Sequence, residues 1–178
     1  FSIIALSIER SGLHKRIALI MISRVGSNGP KLIGGFMLVA ALISMWVMNT
    51  STTLMLLPIG IAICNVVAQT IPGFSDQDKA DFDRALLLSI AYAATIGGMS
   101  TLVGTAPNIV FGAFMQETYG LEITMTDWMK LGVPVSACML VVAWFFLTKV
   151  VYPVNFKSSS ETQITLNNML SDMGPMSK

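Results

Sequence analysis

Charge is what this sequence has least of. Only 12% of its 178 residues are Asp, Glu, Lys or Arg, against 53% hydrophobic, and mean hydropathy is +0.69. Soluble domains carry roughly a quarter charged residues, so half that share argues against an ordinary water-exposed surface and points to a bilayer. No Asp, Glu, Lys, Arg or His occurs in 32–75, 85–116 or 131–148. The net charge of +1 leaves no basic footprint for nucleic acid, so none is expected as a partner. Histidine is nearly absent. His14 lies on a basic stretch and reads as a solvated or headgroup-facing residue. The two cysteines, Cys64 and Cys138, sit in apolar segments without CxxC or Cys/His spacing, which reads as packing and not as a metal site. The apolar segments hold no nucleophile–base pair, so an enzyme is not expected. The opening "FSIIALSIER" lacks the charged n-region of a signal peptide and an initiator Met. It reads as the end of a preceding helix, and the chain as an internal piece of a longer membrane protein.

The charge-free windows supply the material for membrane helices, since a bilayer core needs about 20 apolar residues of helix. The expected organisation is an all-α membrane bundle. Residues 1–31 would be the end of a helix plus a basic amphipathic helix lying at the interface, closed by a turn over Gly26–Pro30. Residues 32–71 hold two apolar arms, 32–48 and 54–71, around a polar centre. Residues 72–84, with "DQDKADFDR", form a charged loop containing a helix start. Residues 85–116 are too long for one straight span, at about 48 Å against a hydrocarbon core of about 30 Å. They are also interrupted by Gly97, Gly98, Gly104 and Pro107, so a broken helix is expected. Residues 117–130 are read as a polar loop with Trp128 at the interface, 131–152 as an ordinary span, and 153–178 as an exposed connection.

Positive charge sets the orientation. Arg10, Lys15, Arg16, Arg24, Lys31, Lys79, Arg84, Lys149, Lys157 and Lys178 fall on one side and only Lys130 on the other. The first side is therefore cytoplasmic, which suits a protein of the cell (inner or plasma) membrane. The count does not distinguish arms that cross twice from arms that enter and return.

Two polar interruptions carry the functional signal: "WVMNTSTTLMLLP" (46–58) and "GGMSTLVGTAPN" (97–108). The first could be a short extracellular loop, the second a kink eased by small residues at a helix contact. The alternative makes both halves of one site. Irregular backbone at membrane depth is tolerated only when buried in protein or lining a cavity. Helix N-termini there can receive an anion and C-terminal carbonyls a small cation. Ser44, Asn49, Thr50, Thr52, Ser100, Thr101, Thr105 and Asn108 offer neutral hydroxyl and amide groups. The missing acids argue against a proton relay.

"SMWVMNTSTTLMLLPI" (44–59) and "IGGMSTLVGTAPN" (96–108), with "GLHKRIAL" (12–19) and "DWMKLGVP" (127–134), together resemble the divalent anion–sodium symporter family. That resemblance implies the first of two inverted repeats, with a re-entrant helical hairpin over 32–71 and a discontinuous transmembrane helix over 85–116. It implies sodium as the coupling ion, held by Ser44, Asn49 and the backbone of Met48 and Gly104. It also implies a di- or tricarboxylate or sulfate facing Asn49, Thr50, Thr105, Ala106 and Pro107. An elevator-like movement and a homodimer of the full-length protein follow by the same resemblance. Met48 stands where the family usually has Ser, which preserves coupling if that residue acts through its carbonyl and weakens it if through its hydroxyl. No second Asn-Thr tip follows residue 153, so this chain is expected to hold half of the site. Other readings are another hairpin-containing ion transporter, of arsenite or sodium/proton type, or a non-transporting membrane subunit.

Overall fold

The computed structural model describes residues 28–70, 75–154 and 168. The expected interfacial helix before residue 28 and the connection after residue 154 lie outside the described residues, Asn168 apart. Among the described residues the chain forms five α-helices: α1 (Gly29–Ser44), α2 (Asn49–Thr70), α3 (Asp76–Met99), α4 (Ala106–Tyr119) and α5 (Met125–Phe145). A π-helical turn, Phe146–Val151, extends α5.

Each boundary has a local cause, and several differ from the sequence expectation. Pro30, expected in a turn, stands in the first turn of α1, where a missing N–H costs nothing. The polar run Asn49–Thr53 is not an irregular centre. It forms the opening turns of α2, and the break itself is Met45–Met48. The charged stretch expected as a loop is largely the first part of α3. Ser75 caps that helix in a reciprocal box with Asp78, whose backbone N–H donates to Ser75 Oγ at 3.1 Å. The loop expected over 117–130 shrinks to five residues, because α4 runs to Tyr119 and α5 starts at Met125. Gly120, at φ 66°, closes α4 in the left-handed conformation that glycine adopts without strain. Thr124 Oγ1 then accepts from Asp127 N–H at 3.2 Å and opens α5. Residues read as loop polarity are thus the cap and first turn of a helix.

α3 is the centre of the bundle, packing most heavily on α1 and next on α2. Leu32, Ile33, Phe36 and Val39 of α1, Leu56, Ile63 and Val67 of α2, and Phe82, Leu86 and Ile90 of α3 are fully buried together. Directions follow from named contacts. Asn49 meets Gly98 while Gly60 meets Leu87 and Ile90, so α2 runs antiparallel to α3. Trp128 reaches Met99 O, whereas Trp144 reaches Pro30 O, so α5 is antiparallel to both α3 and α1. α1 and α3 therefore run side by side and both stop at the same end of the bundle.

Between helices in a membrane, association comes from close packing and hydrogen bonds, with no hydrophobic drive against lipid tails. Small residues accordingly sit at the tightest approaches. A Cβ at Gly97 would overlap the Ala41 backbone, and one at Gly132 would stand 2.7 Å from Ser100 O. From Met125 to Val151 the chain forms one continuous helical stretch of 27 residues, long and apolar enough to cross a membrane. The outward faces of α4 and α5 are apolar and exposed, including Val110, Phe111, Leu131, Val141 and Phe145.

Candidate functional site

The two interruptions, about fifty residues apart in sequence, fold onto one another. α1 ends at Ser44 and α3 at Met99, presenting two helix C-termini. α2 starts at Asn49 and α4 at Ala106, presenting two N-termini. The last carbonyls of a helix carry partial negative charge and its first N–H groups partial positive charge. One small region therefore offers both signs without a single ionised side chain.

One side chain ties the two breaks together, and two more hold each break in shape. Thr101 Oγ1 donates to Met45 O at 2.6 Å, joining residues 56 positions apart. Asn108 Nδ2 donates to Thr101 O at 2.8 Å and, more weakly, to Gly98 O at 3.4 Å, folding the start of α4 back over the end of α3. Ser44 Oγ donates to Asn49 Oδ1 at 2.8 Å across the first break. The Asn49 amide lies against Gly98 and Gly104 lies against the Gly98 backbone, so Gly98 is the surface on which the two breaks meet. α5 completes the assembly from the other side. Trp128 Nε1 donates to Met99 O at 3.0 Å and Ser136 Oγ to Ile96 O at 2.9 Å, satisfying carbonyls near the end of α3.

The sequence-derived residues divide among these positions. Ser44 is fully buried, Asn49 half-buried, and they touch each other. Gly104 is buried one short turn from Gly98. Its φ is not positive, contrary to the conformational freedom a bend there suggests. Among the described residues only Gly120 has that conformation. Glycine is required at 104 for a different reason: a Cβ there would overlap Gly98 O and stand 2.9 Å from Gly98 Cα. The Met48 side chain is exposed at 64%, while its carbonyl accepts from Thr52 N–H at 3.0 Å and keeps a second lone pair. Thr50 and Ser51 are exposed, Thr53 half-buried and Thr52 fully buried, so the polar run is only partly enclosed by this chain. Thr105 is the N-cap of α4 in extended conformation, with no side-chain cap, followed by the exposed Ala106 and Pro107.

Sequence reasoning treated Gly97 and Gly98 as helix interruptions. They lie inside α3 and are contact surfaces, the first for α1 and the second for Asn49. The positioning roles of Trp128 and Ser136 were also not visible. A small-residue pair directly before a polar break was the available signal, because close backbone approach requires it.

A cation fit can be judged from the atoms present. Ser44 Oγ and Asn49 Oδ1 are neutral oxygens of the kind a hard monovalent cation takes. They currently satisfy each other, so ligation requires the Ser44 hydrogen to turn away. Val47 O, at 3.5 Å from Ser44 Oγ, is the acceptor available for it.

Comparison with known proteins identifies the family. A model of the citrate transporter family (CitMHS) matches residues 1–168. The chain is 34% identical over 175 residues to the sodium-dependent dicarboxylate transporter SdcS of Staphylococcus saprophyticus, covering 98% of this chain and 34% of that protein. It is 35% identical over 176 residues to the transporter of the same name from Staphylococcus aureus strain USA300, with the same coverage. The chain thus spans about a third of the length of these relatives. The resemblance drawn from the four motifs is borne out, and with it the reading as a transport protein and not an enzyme. By that match over nearly its whole length, this chain belongs to the citrate transporter family.

Proposed function

We propose that this chain is the first half of the binding site of a sodium-coupled transporter for a divalent anion, a dicarboxylate such as succinate or else citrate or sulfate. The observation that carries the reading is the contact between the two breaks: Ser44 and Asn49 against Gly98, held by Thr101 on Met45 O. Sodium would be bound by Ser44 Oγ, Asn49 Oδ1 and the carbonyls of Met48 and Gly104, with Met48 contributing through its backbone. The substrate carboxylate would lie against Asn49, Thr50, Thr105, Ala106 and Pro107, facing the N-termini of α2 and α4. A helix N-terminus favours such an anion by partial charge and free N–H groups.

The length of α1, not that of the 22-residue α2, supports a hairpin over two full crossings. α1 has 16 residues, about 24 Å, which falls short of a hydrocarbon core of about 30 Å. The charge-free part of α3, Ala85–Met99, is about as long and stops beside it. Both breaks then lie inside the membrane, reached from the side that carries Lys31, Lys79 and Arg84. In this reading α1 and α2 are the re-entrant arms, α3 and α4 the discontinuous helix, and α5 the following span. Alternating access by an elevator-like movement of this unit, within a homodimer, accords with the family resemblance. The relatives, about a third identical, are named as sodium-dependent dicarboxylate transporters, and this supports carrying both properties to this chain.

The test uses the full-length transporter in liposomes. Radiolabelled succinate, citrate and sulfate are offered with an inward sodium gradient or with potassium in its place. Uptake of one of them driven by sodium is expected. Equal uptake in potassium would remove sodium coupling from the proposal, and no uptake of any divalent anion would remove the substrate class.

A further inference from the structure

Resting on the reading just given, we propose that Thr52 supplies a further oxygen of the sodium site, an inner ligand below Asn49. The motif resemblance assigns nothing to Thr52. Its side chain is fully buried, its Oγ1 is shielded from solvent, and no hydrogen-bond partner reaches that oxygen. Buried polar groups in native structures are nearly always partnered, and exceptions require an explanation.

Local structure does not supply one. A helical threonine ordinarily satisfies its hydroxyl on the carbonyl four residues back, and Thr53 does this on Asn49 O at 2.9 Å. The equivalent acceptor for Thr52 is Met48 O, yet only the Thr52 backbone N–H uses it, at 3.0 Å. The hydroxyl therefore makes no bond to its own helix backbone. Residues three apart on a helix share a face with Cβ atoms about 5–6 Å apart. Thr52 thus follows Asn49 along the side of α2 that faces α3. Its backbone is tied to the carbonyl of Met48, itself a proposed ligand. Among the described residues the other fully buried hydroxyl without a partner, Ser89, lies ten residues before the end of α3 and has no break beside it.

The chemistry favours a cation over a water or an anion. Ser44 Oγ, Asn49 Oδ1 and the Met48 and Gly104 carbonyls make four neutral oxygens, and hard cations commonly gather six or more. A fifth neutral oxygen with free lone pairs, in a region lacking every ionised group, brings the set closer to that number and suits a monovalent ion.

The experiment measures the full-length transporter in liposomes and in detergent. Uptake is followed against sodium concentration, and the melting temperature of purified protein is followed against sodium alone, since an ion that binds only the folded state raises it. Thr52→Val keeps the shape and removes the hydroxyl. It is expected to raise the sodium concentration for half-maximal uptake about tenfold or more and to shrink the sodium-dependent rise in melting temperature. Thr52→Ser, which restores an oxygen, should recover most of both. Should the valine protein not reach the membrane, Thr52→Ala is read in the same way. Ser44→Ala is the comparison that separates the two claims. If Ser44→Ala shifts sodium dependence and Thr52→Val does not, this inference is overturned and the site reading stands. If neither shifts it, both fall.

Discussion

Gly98→Ala tests the meeting of the two breaks more directly than any change in a polar side chain. A Cβ at 98 would stand 3.0 Å from Asn49 Cγ and 3.2 Å from Nδ2, and would overlap Oδ1. The obstructing group is the end of a flexible side chain, so the amide moves while the helices stay. Overpacking of this kind costs about 1–3 kcal/mol, partly offset by the roughly 1 kcal/mol that alanine gains over glycine in a helix. The net loss of fold stability is then about 0–2 kcal/mol, which a membrane bundle of this size tolerates. The site does not tolerate it. Displacing Asn49 breaks its 2.8 Å bond with Ser44 and removes Oδ1 from its place. A contact to a charged partner is worth about 1.5–3 kcal/mol, or about a 10- to 150-fold weaker sodium dependence. The assay is initial uptake by the full-length protein over a range of sodium concentrations, normalised to the amount at the surface. Gly112→Ala is the control, because its Cβ would make only an ordinary 3.4 Å contact with Leu102. Wild-type sodium dependence in the Gly98→Ala protein, or an equal shift in the control, would refute the reasoning.

Three further outcomes follow from the same contacts. Gly104→Val should abolish uptake at normal surface level, because the new side chain meets the Gly98 backbone, which cannot swing aside; wild-type uptake would detach this turn from the ion site. Asn49→Ala should lower uptake far more than Thr53→Ala, since Thr53 only back-bonds to Asn49 O while Asn49 bridges Ser44 and Gly98; equal, mild effects in parallel uptake measurements would remove Asn49 from the site. Trp128→Phe retains an aromatic ring beside Phe111 and loses the bond to Met99 O. It should cost about 0.5–1.5 kcal/mol, a fall of about 1–6 °C in melting temperature, and an unchanged transition would show that bond to be idle.

What the sequence determined by itself is what depends on local chemistry. Charge-free windows dictate membrane helices because burying an ion in hydrocarbon is costly. The runs around Asn49 and Thr105 declare breaks because proline, glycine and hydroxyl side chains interrupt apolar helix wherever they cluster. The motif order pointed to the family, and Ser44 and Asn49 were put together only by that resemblance. Helix starts were less legible: Ser75 with Asp78 and Thr124 with Asp127 are caps, yet their polarity imitates a loop. Only the tertiary structure decided that the breaks touch, and through which atoms. Thr101 finds Met45 O, Asn49 settles on Gly98, and Trp128 reaches Met99 O. None of these follows from periodicity, because each depends on how closely two helices approach. That distance is set by what is missing at Gly97, Gly98 and Gly132: a glycine has no side chain, so its role emerges only when a neighbour occupies the space.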